Sequence, residues 1–520
     1  MKNNLFSNLK NDIPASIVVF FVALPLCLGI ALASGAPLFS GLISGIIGGV
    51  VVGALSGSKI GVSGPAAGLA AIVLSAIGTL GGYENFLVAV VLGGLIQVIF
   101  GVLKAGVIGY YFPSSVIKGM LTGIGIIIIV KQIPHFLGYD ANSDSDFSFL
   151  QLNTNNLTDH IQLGSTVIGF IGLFILLFWD KVLSQKSKIF QVIQGPLVAV
   201  VVGIVFFLIT KSNDTLAIEG TRLVSVPIPK DVTSFFGQFS FPNFEAITNS
   251  EVWVVAFTIA LIASLETLLC VEATDKIDPH KNVTPTNREL LAQGTGNILS
   301  GMIGGLPVTQ VIVRSSANIQ SGGRTKLSVI LHGVLLLVSV ITIPRLLNMI
   351  PLSVLAAILL IVGYKLAKPA LFKEMYLLGW KQFVPFIVTV LGIVFIDLLY
   401  GILLGLSVGI VIILIKSFQN SHFLHKEGSD NKFKMTLAEE VTFFNKGAIL
   451  KELDTLPENS YLEIDVRKTR YLDYDIIEIL EDFAFKANER NIDIKLISER
   501  GVVQNPPSYI EFFKLDLKST

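Results

Sequence analysis

The chain has 520 residues, of which 52% are hydrophobic and 15% charged, with 38 Lys and Arg balancing 38 Asp and Glu. A soluble domain carries about 25% charged residues, so this composition excludes an ordinary soluble protein and indicates a polytopic α-helical membrane protein. Zero net charge gives no case for nucleic acid as a partner, and the two cysteines, Cys27 and Cys270, lie in apolar runs and exclude a disulfide framework.

Residues 1–13 read as a cytoplasmic N-terminal tail carrying Lys2 and Lys10. The apolar run from Ile13 to Ala33 closes on Ala31-Leu32-Ala33-Ser34-Gly35-Ala36, which imitates a signal cleavage site. Its length is that of a spanning helix, so it is expected to be retained. Spans of roughly 17–25 residues are expected at 15–33, 39–57, 62–79, 86–103, 114–133, 162–180, 192–210, 250–272, 288–304, 308–321, 327–343, 351–367, 384–399 and 402–418. They make about fourteen within a membrane domain covering 14–425. With a cytoplasmic N-terminus, alternate loops carry Lys59, Lys104, Lys181, Lys186 and Lys188, then Lys276, Lys281 and Arg288, then Arg324 and Lys326, then Lys365, Lys368 and Lys373, then Lys416. The opposite loops are poorer: 133–162 has no Lys or Arg, and 211–249 holds Lys211, Arg222 and Lys230. This bias predicts a multi-pass protein of the plasma membrane, a bacterial inner membrane, with both termini cytoplasmic.

Glycines repeat at four-residue spacing at Gly41, Gly45, Gly49, Gly53 and Gly57, and again at Gly401, Gly405 and Gly409. Such rows let helix backbones approach closely in lipid. Static packing is the favoured reading, with a sliding surface as the alternative.

Two segments break the helical pattern in corresponding places. One is Ile60-Gly61-Val62-Ser63-Gly64-Pro65-Ala66-Ala67-Gly68-Leu69; the other is Gly301-Met302-Ile303-Gly304-Gly305-Leu306-Pro307-Val308-Thr309-Gln310. Exposed backbone inside a membrane is tolerated only where it is buried in protein or lines a cavity. Paired interruptions of this kind point to a transporter's binding site. Half-helices starting near Pro65 and Pro307 would direct their positive ends at one point, and Arg314, one to two turns beyond the second break, adds a cation, so the cavity favours an anion. The expected substrate-binding residues are Ser63, Gly64, Pro65, Ala66 and Ala67 on one side and Val308, Thr309, Gln310, Val311 and Arg314 on the other. Ser63 and Thr309 either cap the half-helices, the favoured reading, or touch substrate.

Intramembrane charge is costly and marks function. Glu266, in mid-span, is the expected coupling residue: it carries a proton, coordinates Na⁺ or neutralises Arg314 in a structural bridge. Glu272 and Asp275 read as interfacial, Lys131 as a snorkelling residue at a span end, and Asp397 as a further intramembrane acid. His135, His160, His280, His332, His422 and His425 are scattered without metal-ligand spacing. No nucleophile-base arrangement and no phosphate loop are legible, so neither an enzyme, nor a cofactor, nor ATP drive is expected.

The tail turns polar after residue 425. Tyr461 to Val466 and Ile492 to Ile497 alternate like strands, and Ile476 to Asn488 has helical periodicity with Ile476, Ile477, Leu480, Phe483 and Ala484 on one face. The order suggests a small α/β domain over 430–520.

Several motifs resemble those of the SulP (sulfate-permease-like) anion transporters, related to solute carrier family twenty-six: Asp12-Ile13-Pro14-Ala15, the Gly64-Pro65 break, Lys131-Gln132-Ile133-Pro134-His135, Asn287-Arg288-Glu289-Leu290, and Asp397-Leu398 followed by Gly401 and Gly405. The most specific runs Gln293-Gly294-x-Gly296-Asn297-x-x-Ser300-Gly301-x-x-Gly304-Gly305-x-Pro307. The tail is similar to a STAS domain in Phe444-Asn445-Lys446-Gly447-Ala448 and Leu472-Asp473-Tyr474-Asp475. The resemblance implies seven plus seven inverted-repeat spans in core and gate domains, an anion held between the third and tenth spans, an acidic coupling position matching Glu266, a basic position matching Arg314, and a homodimer. Two departures stand out. Leu26 and Cys27 follow Leu24-Pro25 where many members read Leu-Pro-Gln, and Tyr474 and Asp475 occupy the place of a phosphorylatable serine. The expected function is secondary active transport of a small inorganic oxyanion, sulfate or bicarbonate, coupled to H⁺ or Na⁺ by alternating access. The alternatives are a passive anion channel or a dicarboxylate or nucleobase permease.

Overall fold

The computed structural model describes residues 6, 8–107, 113–139, 161–186, 190, 194–213, 215–228, 237–396, 398–419, 422–426, 431–499 and 501–517. Asp397, Lys2, Lys188, Lys230 and His160 lie outside the described residues. The chain divides into two units, Met1–Leu406 and Ser407–Thr520.

In the first unit, apolar stretches become helices because only a helix satisfies every backbone group within a single lipid-embedded segment. In chain order these are α1 (Leu9–Ala33), α2 (Leu38–Ile47, continued by a π turn, Gly48–Val52, and Gly53–Leu55), a short strand β1 (Ser63–Pro65), α3 (Ala67–Thr79), α4 (Tyr83–Val102), α5 (Ser114–Phe136), α6 (Leu163–Phe178, continued by a π turn, Trp179–Leu183) and α7 (Gly195–Thr210). The second half repeats the order, with α13 added: α8 (Ser250–Ile277), α9 (Thr286–Met302), β2 (Val308–Gln310), α10 (Ile312–Gln320), α11 (Lys326–Thr342), α12 (Leu352–Leu366), α13 (Pro369–Leu377), α14 (Trp380–Phe395) and α15 (Leu398–Gln419), whose residues from Ser407 onward fall in the second unit. The broken segment is third in each half.

Eight of these helices are long and apolar enough to span a membrane, and α3, α7, α11 and α14 are shorter apolar helices. The two remaining expected spans, α9 and α10, are less apolar because their buried faces are polar. Boundaries move most at the first span, where 15–33 becomes Leu9–Ala33; near the end of the membrane domain, 384–399 becomes Trp380–Phe395 and 402–418 becomes Leu398–Gln419. The unexpected α13 leads into exposed Tyr376, Leu377, Leu378 and Trp380, an aromatic cluster suited to a membrane interface.

The helices sort into two bundles, a core and a gate. In the core, α4 lies against α8 and α9, and α1 lies against α2 and α11; in the gate, α5 lies against α12 and α14, and α6 against α7 and α12. Contact between α1 and α12 forms part of the seam. The first glycine row faces neighbours inside the core: a Cβ at Gly45 would stand 2.6 Å from Cys27 Sγ, at Gly49 2.6 Å from Gly333, and at Gly53 2.9 Å from Val329. Gly401 and Gly405 face α14 at Gly392 and Thr389.

Asp12, at the start of α1, is fully buried and works as a cap in trans. Its Oδ1 accepts from the N–H groups of Arg324 (2.8 Å) and Thr325 (3.1 Å), and its Oδ2 from the Thr325 hydroxyl (2.5 Å), at the N-terminus of α11. Asp12→Ala is expected to lower stability by about 1–3 kcal/mol, since it orphans buried donors. Thermal unfolding in detergent measures this, and an unchanged midpoint would refute the cap.

The second unit carries a five-stranded sheet ordered β3 (His422–Lys426), β4 (Lys432–Leu437), β6 (Tyr461–Asp465), β8 (Asp493–Ser498), β9 (Gly501–Gln504). The β4–β6 and β6–β8 pairs are parallel and the edge pairs antiparallel. A separate pair joins β5 (Glu440–Val441) to β7 (Tyr471–Leu472). Helices α16 (Lys446–Asp454), α17 (Tyr474–Glu489) and α18 (Tyr509–Leu517) complete the unit. Ile476, Ile477, Leu480 and Phe483 are buried with Leu462, Ile464 and Leu496, as the helical and alternating patterns predict. Asp473 caps α17, its carboxylate accepting from Asp475 N–H at 3.3 Å.

Lys434, 2.7 Å from Glu463, holds that carboxyl below the usual range, and Arg467, 2.6 Å from Asp465, does the same there. A lowered folded-state pKa stabilises above the unfolded value and is lost as pH falls through the folded one. This unit is therefore expected to loosen below about pH 4, read as faster hydrogen exchange in β4 and β6 at pH 3 than intrinsic rates predict. Exchange following the intrinsic rates alone would show that the pairs contribute nothing.

Candidate functional site

The two breaks meet as a strand pair rather than as bare helix tips. β1 and β2 run antiparallel, with Ser63 opposite Gln310, Gly64 opposite Thr309 and Pro65 opposite Val308. Pro65 and Pro307 disfavour the helical conformation for the residue before each, which keeps the chain extended. Consequently α3 starts at Ala67, after extended Ala66, and α10 at Ile312, after extended Val311. Both helices thus begin later than the prolines suggest, and Arg314 falls in the first turn of α10 rather than one to two turns in.

The expected capping by Ser63 and Thr309 does not occur, because both are strand residues. The residues before the half-helices, Ala66 and Val311, cap neither of them; α8 supplies the partners, the Glu266 carboxylate accepting from Gly68 N–H at the start of α3 and Cys270 Sγ from Ile312 N–H at the start of α10. Ser63 Oγ instead accepts from Gln293 Nε2 at 2.7 Å. Gln310 N–H donates to Thr267 Oγ1 at 3.3 Å, and Gln310 Nε2 to Thr274 Oγ1 at 3.1 Å.

Arg314 has no exposed surface. Its Nη2 donates to Cys27 Sγ at 3.3 Å, and its Nη1 lies against Gly64, where a side chain would collide with it. Nε and Nη1 have no hydrogen-bond partner among the described residues. Glu266 lies elsewhere: a Cβ at Gly68 would stand 2.7 and 2.8 Å from its two carboxylate oxygens, which places them against the first turn of α3. Oε2 is buried without a partner, and among the described residues no ion pair joins Glu266 to Arg314. The structural-bridge alternative therefore gives way to two separate charges, each set against the backbone of the first break. An anionic side chain at a helix N-terminus is favourable; a buried guanidinium with unmatched donors is not, unless an anion completes it.

A cavity of 540 Å³ approaches this point between core and gate. Leu26 and Val313 line it, each adjacent in sequence to a residue of the Arg314–Cys27 contact, and its far wall reaches Asp180 and Lys365, which pair at 3.0 Å. Leu26, where a polar residue was expected, is therefore an apolar wall, and Cys27 makes the contact to Arg314. A second cavity of 620 Å³ at the other end of α1 is lined by Lys131 and His135. Lys131 lies five residues before the end of α5 and lines the wall of this cavity. Glu272 is exposed and pairs with Lys276 at 2.5 Å, whereas Asp275 accepts from Thr284 N–H and Oγ1 at 2.7 and 2.8 Å. Among the described residues no group of three or more His, Cys, Asp or Glu is placed to hold a metal ion.

Sequence reasoning singled out Gln293 and Asn297 as a motif without a role. Both are fully buried. Asn297 accepts from Val308 N–H at 2.5 Å and donates to Val308 C=O at 3.1 Å, gripping β2 from α9. Buried amides spaced four residues apart on a membrane helix were the available signal.

The chain is similar to known transport proteins. The bicarbonate transporter BicA of Picosynechococcus is 24% identical over 539 residues, covering 98% of this chain and 92% of its own. The solved transmembrane domain of a cyanobacterial BicA aligns with a TM-score of 0.64 at 26% identity, over 78% of this chain and 98% of that one. The solved structure of SLC26A9 aligns with a TM-score of 0.77 at 15% identity, over 95% of this chain and 85% of that one, a likeness of fold. A sequence profile of the sulfate permease family matches residues 9–389, and on that match, with two breaks converging on a buried arginine, the chain belongs to the sulfate permease family.

Proposed function

We propose that this protein is a secondary active transporter of a small inorganic oxyanion, sulfate or bicarbonate. The observation that carries the reading is Arg314: a fully buried guanidinium with two nitrogens unmatched among the described residues, in the first turn of α10 and against Gly64 of β1. Unmatched donors there are complementary to an acceptor-only ligand. The family's description and the relative named for bicarbonate support the same substrate class.

Glu266 is the coupling residue in this reading, with H⁺ favoured over Na⁺, because the carboxylate stands against one helix start and, among the described residues, no group of three or more His, Cys, Asp or Glu is gathered to hold a metal ion. The core moves against the gate along the α1–α12 seam, exposing the site to the 540 Å³ and 620 Å³ cavities in turn. The protein spans a bacterial inner membrane with both termini cytoplasmic, its α/β unit is a STAS-like domain, and it forms a homodimer.

Purified protein in liposomes tests this directly. Uptake of sulfate or bicarbonate above the external concentration under a pH gradient is the expected result, with dicarboxylates and uracil as weak competitors. Uptake that only equilibrates would show a passive channel, and strong uracil competition a nucleobase permease.

A further inference from the structure

The polar face of α9 has a job beyond filling the core. Glu289, Gln293, Asn297 and Ser300 are all fully buried, and they stack along one side of the helix. Each bonds a segment next to a break: Ser56 donates to Glu289 at 2.5 Å, Gln293 donates to Ser63 in β1 at 2.7 Å, Asn297 grips Val308 in β2, and Ser300 donates to Leu306 C=O at 2.7 Å. One rigid helix therefore holds both sides of the break pair.

Asn297 is the centre of this arrangement. Its side-chain amide exchanges two hydrogen bonds with Val308, as a neighbouring strand would. The same Nδ2 also donates to Gln97 Oε1 on α4 at 2.5 Å, and Gln97 Nε2 donates to Ser264 on α8 at 3.2 Å. Gln97 is fully buried and, with Asn297 and Ser264, ties α4 and α8 to the position of β2. Glu266 sits two residues beyond Ser264 on that same α8. The positions of β1, β2 and α8 are thus tied together by buried side-chain amides on α9 and α4.

We propose that Asn297, backed by Gln97 and flanked by Gln293, determines anion specificity by fixing the gap between the two half-helix starts. This rests on the anion-transport reading above. Buried hydrogen-bonded networks hold a geometry only when every member is present, and discrimination between ligands of different size depends on a site that cannot relax around the wrong one. Asn297 and Gln97 are positioning residues: they set where the donors stand and do not contact the anion.

The test is the ratio of turnover number over KM for sulfate against bicarbonate and against chloride, in proteoliposomes. That ratio is independent of the fraction of protein that folds, so a merely structural role leaves it unchanged. Asn297→Ala is expected to move it at least about tenfold toward unity, equivalent to about 1.4 kcal/mol. Gln97→Met, which keeps volume and touches neither strand, is expected to move it in the same direction by a smaller factor, and the double variant no further than Asn297→Ala alone. If Asn297→Ala does not fold, the Gln97→Met ratio decides by itself. Ratios equal to wild type in every folded variant overturn the proposal and leave the transport reading intact. Wild-type protein that moves none of the three anions overturns the transport reading instead.

Discussion

Arg314→Ala is expected to cut anion uptake by about 100-fold or more. Truncating one member of a buried, hydrogen-bonded charge interaction costs about 2–5 kcal/mol, and about 1.4 kcal/mol is a factor of ten. Among the described residues no carboxylate pairs with the side chain, which contacts the Cys27 sulfur and the Gly64 backbone, so the loss falls on the bound state. Arg314→Lys keeps the charge and removes the planar fork, and should retain roughly a tenth of activity, since an ammonium cannot reproduce two parallel donors. Arg314→Met separates function from folding. It replaces a buried cation with unmatched nitrogens by an apolar chain of similar length, so its thermal unfolding midpoint should equal or exceed that of wild type while uptake is lost. Radiolabelled sulfate and bicarbonate uptake, measured beside thermal unfolding, checks both. Near-normal uptake by the Ala variant would remove Arg314 from the site.

Glu266→Gln is expected to separate movement from drive. One pH unit is worth about 1.4 kcal/mol per proton, so a one-proton symporter concentrates its anion about tenfold for each unit of inward acid gradient. In the Gln variant the amide keeps the size of the side chain and the contact with the first turn of α3, but has no proton to exchange. Accumulation under a pH gradient should fall to about onefold, while exchange of internal for external anion continues at equal pH on both sides. Counterflow and gradient-driven uptake on the same vesicles distinguish these. Gradient-driven accumulation persisting in Glu266→Gln would move the coupling role elsewhere, and accumulation that follows a Na⁺ gradient in wild type would replace the proton as partner ion.

The sequence reveals the spans, the position of each break and the two charges, because lipid imposes long apolar runs and makes Gly, Pro, Glu and Arg conspicuous within them. It does not reveal that the breaks pair as strands. Ser63-Gly64-Pro65 and Val308-Thr309-Gln310 are three residues each, too short for an alternating pattern, and proline at one end hides a ladder that forms through its neighbours. From that single omission follow the late helix starts and the mistaken caps. The role of Cys27 is hidden for another reason: its contact to Arg314 links residues 27 and 314, and no local spacing carries it. The departure at Leu26 is legible in the sequence, yet its place in a cavity wall beside Val313 is not.

The strand pair also imposes an order of events during synthesis. β1 emerges roughly 250 residues before β2, which at about 5–20 residues per second is a wait of about ten to fifty seconds. During most of that interval Gly64 and Ser63 lack their β2 partners, and Gln293 does not yet exist to bond Ser63. The first half must therefore sit in the membrane with an unfinished, water-seeking segment until its counterpart arrives. A chain truncated after α7 would display that segment permanently, a natural target for quality-control proteolysis rather than a half-active carrier.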